Sequence, residues 1–73
     1  MTLARYAEDR AREAWEARIK HVRASNTWAE IAAEHRERRP VYEILARWMA
    51  AYADADAEAE RAFRELATRG DTA

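Results

Sequence analysis

Seventy-three residues make one domain at most, close to the size at which a single hydrophobic core becomes marginal. Nineteen of the 36 apolar residues are alanine, and there is no cysteine, which excludes a disulfide framework and leaves zinc without thiolate ligands. Thirteen Lys and Arg against fourteen Asp and Glu give a net charge of −1, which argues against wholesale polyanion binding and leaves oligomerisation or a partner as the added source of stability.

A single glycine and a single proline imply few turns and long elements. The first helix is expected over residues 3–24, with Thr2 as its N-cap. Leu3, Tyr6, Ala7, Ala11, Ala14, Trp15, Ile19 and Val22 recur at steps of three and four and mark one apolar stripe. Ser25 and Asn26 interrupt the pattern, since both side chains tend to bond their own backbone. Thr27 to Glu30 then reads as a capping box that opens a second helix over 28–38, with Trp28, Ile31, Ala32 and His35 on one face.

Arg36, Glu37, Arg38 and Arg39 end that face, and Pro40 suits the first turn of a third helix over 41–68. Along it Val41, Leu45, Trp48, Tyr52, Ala55, Ala59, Ala62 and Leu66 alternate at four and three, a heptad repeat that Ile44, Met49 and Phe63 widen. The alternating letters from Ala53 to Glu60 suit a strand poorly, because Ala, Asp and Glu are weak strand formers and the heptad runs through them. Gly70 is expected as a left-handed stop, followed by a short tail over 70–73. An alternative joins the second and third helices into one rod kinked at Pro40.

Chemistry-bearing groups are sparse. Asp54 with Glu58, and Asp56 with Glu60, lie one helical turn apart, but with no histidine in the run they read as a solvated acidic face. His21 and His35 fall on different helices, so no metal site is expected. With Ser25 the only serine and no glycine-rich turn, neither a nucleophile nor a phosphate cradle is expected. The reading is therefore of a protein that is not an enzyme, with no catalytic residue, cofactor or small-molecule substrate.

Charge is unevenly placed. Residues 18–39 hold six Lys or Arg against three Glu, whereas residues 40–73 hold four Arg against seven acids. The basic segment could contact phosphates, or complement the acidic segment of a neighbouring copy. Within it, Thr27-Trp28-Ala29-Glu30-Ile31-Ala32 followed by Arg39-Pro40-Val41-Tyr42-Glu43-Ile44-Leu45 resembles the helix-turn-helix of DNA-binding regulators. That resemblance implies a recognition helix with Arg38, Arg39, Tyr42, Glu43 and Arg47 toward the major groove.

The aromatic residues point elsewhere, because Trp and Tyr are typical anchors of protein interfaces. The sequence thus predicts an all-α single domain, either a helical hairpin or a three-helix bundle with a long C-terminal helix. It is expected to act as a protein-protein interaction module that self-associates, most simply as a dimer, or binds another protein. The interface residues are Trp15, Trp28, Tyr42, Leu45, Trp48, Met49, Tyr52, Ala55, Ala59 and Phe63. The second reading is nucleic-acid contact by Arg36, Arg38, Arg39, Tyr42 and Arg47. No apolar run reaches the length of a membrane span and no signal peptide follows Met1, so a cytoplasmic location is expected. The excess of Arg over Lys, twelve to one, suggests a GC-rich bacterial or phage coding sequence.

Overall fold

Thr2 starts the first helix as expected: its Oγ1 accepts the N–H of Arg5 at 3.2 Å, while its carbonyl accepts Tyr6 at 3.0 Å. From there the computed structural model, which describes residues 2–70, shows two helices and a tight turn. α1 spans Leu3–Glu34 and α2 spans Arg39–Gly70, 32 residues each. At 1.5 Å per residue each arm is about 48 Å long, and the Cα envelope measures 56 × 13 × 11 Å. Residues 71–73 of the expected tail lie outside the described residues.

The expected break between residues 24 and 28 does not exist, so the chain is a hairpin with equal arms. The three-helix bundle, and a C-terminal helix longer than the rest, are both corrected. Two hydroxyls explain the continuity. Thr27 Oγ1 donates to the Arg23 carbonyl at 3.0 Å, inside its own helix, and Ser25 Oγ donates across to the Ala46 carbonyl of α2 at 2.8 Å. Side chains that could have competed for the local backbone are engaged in bonds the helix tolerates. The capping-box letters therefore sit in a helix interior.

The chain reverses at residues 35–38. His35 is extended, and its N–H still donates to the Ile31 carbonyl at 3.1 Å. Arg38 then caps α2 through its carbonyl, which accepts the N–H groups of Val41 at 3.0 Å and Tyr42 at 3.2 Å. Arg39 Nε reaches back to the Ala32 carbonyl at 3.3 Å, placing a cation at the negative end of α1. Pro40, second in α2, loses no hydrogen bond there. The arms are separated by this turn and are not one kinked rod.

What joins the arms is a seam of small residues. The buried residues are Ala4, Ala7, Ala11, Ala14, Ala32, Ala53 and Ala67, and among the described residues no larger side chain is fully buried. On α1 the seam continues at heptad spacing through Arg18, His21, Ser25 and Trp28, all half-buried. On α2 it runs through Tyr42, Ala46, Met49, Ala53, Asp56, Glu60, Phe63, Ala67 and Gly70. This is a second heptad stripe, one residue away from the stripe that begins at Val41. Gly70 is the last helical residue rather than a left-handed stop, and no described residue has positive φ. A Cβ there would lie 3.3 Å from the Ala4 backbone nitrogen, so the missing side chain permits close approach of the helices.

Ala11, fully buried, tests the closeness of the seam. Ala11→Leu is expected to destabilise by about 1–3 kcal/mol, the usual range for overpacking. Thermal melts followed by circular dichroism at fixed protein concentration should show the loss, starting from a spectrum helical nearly throughout.

Candidate protein-binding face

Packing through alanine turns the larger apolar residues outward. On α2, Val41, Ile44, Trp48, Tyr52 and Leu66 stand 58%, 49%, 60%, 51% and 38% exposed. Ala55 and Ala62 between them are exposed as well, and Ala59 is half-buried. The heptad stripe read from the sequence is thus real in spacing, but it lies on the flank of the chain's own seam and not within it.

The side of α1 that borders this stripe is fixed by ring contacts. Trp28 stacks on Tyr42 with centroids 5.7 Å apart, His35 tilts against Tyr42 at 5.8 Å, and His21 against Tyr52 at 5.3 Å. Steps of three and four from Trp28 along the same edge lead forward to Ile31 and back to Ala24, Ala17 and Tyr6, with Lys20, Glu13 and Arg10 between them. Tyr6 is exposed and lies under the Arg10 guanidinium at 5.1 Å, while Ile31, Ala24 and Ala17 are half-buried. One side of the hairpin therefore presents apolar residues from both helices, with Trp48 and Tyr52 near its middle.

The residues expected at an interface do not all lie on that side. Tyr42, Leu45, Met49, Phe63 and Trp28 are half-buried in or beside the seam. Trp15 lies on the opposite flank, one heptad before Val22, which borders a shallow groove with Ala53, Asp54 and Ala57. Sequence reasoning missed Tyr6 and Ile31 as members of the face. Counting from Trp28 in steps of three and four, forward to Ile31 and back to Tyr6, would have found both.

The residues expected at nucleic acid lie in the turn, in the seam and along one flank, where Arg39 and Arg47 line the same groove. Arg36 and Arg38 are exposed in the turn. Arg39 is held by the Ala32 carbonyl and lies 3.8 Å from Glu43. Tyr42 is taken up between Trp28 and His35, and Arg47 lines an open groove with Ala29, Ala33 and Glu43 on the other flank. The segment 27–47 is a helix end, a turn and an antiparallel helix. It lacks the crossed pair of short helices that defines a helix-turn-helix.

One polar pair sits within the seam. His21 Nδ1 donates to Asp56 Oδ2 at 2.5 Å, with the side chains about a third and a fifth exposed. The acidic run is therefore not uniformly solvated: Asp56 and Glu60 turn inward, whereas Asp54 and Glu58 face solvent. Glu60 is held by Arg64 at 2.9 Å one turn along. Among the described residues no group of three or more His, Cys, Asp or Glu is placed to hold a metal ion, and no helix is long and apolar enough to cross a membrane.

No protein-family model, curated protein or solved structure matches the chain.

The His21–Asp56 bond should be measurable. Asp56→Asn is expected to cost about 1 kcal/mol, the typical net worth of a partly buried hydrogen bond. Asp54→Asn, at an exposed position on the same helix, should stay within about 0.5 kcal/mol of the parent. Urea denaturation of both at pH 7 and one protein concentration checks the difference.

Proposed function

We propose that this chain is a non-enzymatic protein-interaction module that associates with copies of itself through the apolar face carried mainly by α2. One observation supports the reading above the others. Among the described residues the seam fully buries nothing larger than alanine, while Val41, Ile44, Trp48 and Tyr52 stand about half exposed or more. Large apolar side chains contribute most per residue when removed from water, and here a single chain leaves them in it. Contiguous apolar patches of this kind are uncommon on soluble monomers and mark sites of association.

Contact with nucleic acid has no comparable observation in its favour. Arg39 and Arg47 line one open groove, Arg36 and Arg38 lie in the turn, and Tyr42 is occupied within the hairpin.

Light scattering coupled to gel filtration tests the proposal directly. The expected mass is a multiple of 8.5 kDa across the micromolar range, and a strict 8.5 kDa species would end the reading. Because association acts by mass action, the melting temperature of the parent should rise with protein concentration. Trp48→Ala should remove about 3 kcal/mol of combined folding and association, as for other large-to-small changes at buried aromatics. It should also flatten that concentration dependence.

A further inference from the structure

We infer that the occupant of the apolar face is a second copy of this chain laid antiparallel, closing a two-fold four-helix bundle; this rests on the self-association proposed above. The hairpin sorts its charge along its length. Residues 18–53, the half that contains the turn, hold seven Lys or Arg against four Glu, a net of +3. Residues 3–17 and 54–70, the half with the open ends, hold six Arg against nine acids, a net of −3. On a molecule 56 Å long these halves are separated by more than the Debye length of about 8 Å at physiological salt, so each meets a neighbour as a distinct charge. Two hairpins face to face in the same direction bring like halves together. Reversing one of them sets +3 against −3 at both ends.

Side-chain size fits the same arrangement. Turning one face onto another with the long axis reversed lays α2 on α2. The midpoint of that helix is at Ala55, so residues equally far on either side of it meet. Trp48 then falls opposite Ala62 of the second copy, and Ile44 opposite Leu66. The bulkiest residue of the stripe, Trp48, thus meets an alanine, and Ile44 meets another apolar side chain. The broad side of the Cα envelope, 56 by 13 Å, offers about 700 Å² per copy before side chains are added. A specific interface of ordinary size needs about 800 Å² from each partner.

The chain has no cysteine, so Glu37→Cys gives one labelling site, at an exposed turn position outside both helices that leaves the basic half basic. A nitroxide attached there is read by pulsed dipolar spectroscopy at a concentration where light scattering of the same sample gives its mass. Opposite tips of an antiparallel pair place the two labels about 50 Å apart on the 56 Å molecule. A dimeric mass with that separation is the expected result. A dimeric mass with labels within about 25 Å, the reach of two helix layers roughly 10 Å apart plus label arms, overturns the antiparallel arrangement and leaves self-association standing. A monomeric mass with no dipolar coupling overturns both, and assigns the face to a different protein.

Discussion

The organisation of this molecule depends on close contact between two long helices through alanine. Ala4, Ala7, Ala11 and Ala14 on α1, with Ala53 and Ala67 on α2, have no side chain beyond Cβ to hold the backbones apart. Gly70 carries the same principle to the end of α2, where even a methyl would press on the backbone of Ala4. Where alanine sets the spacing the helices leave little room between them, and larger residues of the seam such as Trp28, Tyr42, Met49 and Phe63 are only half-buried. The larger apolar residues are forced to the flanks, and an exposed face follows from the seam rather than from a separate feature of the sequence.

The seam also explains why its central part can be polar. With little apolar area to bury, direction and register are carried by specific bonds: Ser25 to the Ala46 carbonyl, His21 to Asp56, and Arg39 back to the Ala32 carbonyl. Each joins α1 to α2, and together they span the half of the hairpin near the reversal. Such bonds contribute about 1 kcal/mol apiece, too little to replace a hydrophobic core. A two-helix chain held this way gains most from anything that covers its flank, so the proposed association would couple to folding in one equilibrium.

Much of this is legible in the residues, and the exceptions have physical causes. Helix content, the N-cap at Thr2 and the heptad from Val41 to Leu66 all follow from spacing and side-chain chemistry. The break expected at residues 25–27 is absent, and the Ser25 and Thr27 hydroxyls each have a carbonyl acceptor that leaves the helix intact. Ser25 finds one on the other helix, and Thr27 one turn back on its own. The face of α2 that meets α1 is hard to pick from the letters because two heptad stripes run one residue apart, and the bulkier one has the stronger apolar signal. In a helix pair sewn by alanine the smaller stripe is the inner one. The pairing of His21 with Asp56 depends on the hairpin register, which composition does not reveal.

Apolar pattern and charge pattern each leave an ambiguity that the other removes. Charge alone would be equally content with hairpins joined end to end, basic turn against acidic open end, in an unlimited chain. The tip of the turn is Arg36, Glu37, Arg38 and Arg39, all exposed and polar, so end-to-end contact would bury almost no apolar area. The apolar face alone would accept a neighbour in either direction. Taken together, for the proposed association the face selects a side-by-side neighbour and the two charged halves favour the reversed direction. A contact in which each copy uses the same face is self-complementary, and such contacts close at two copies instead of propagating. In the proposed pair the uneven placement of charge along the hairpin would select a closed dimer from among the assemblies that an apolar stripe otherwise permits.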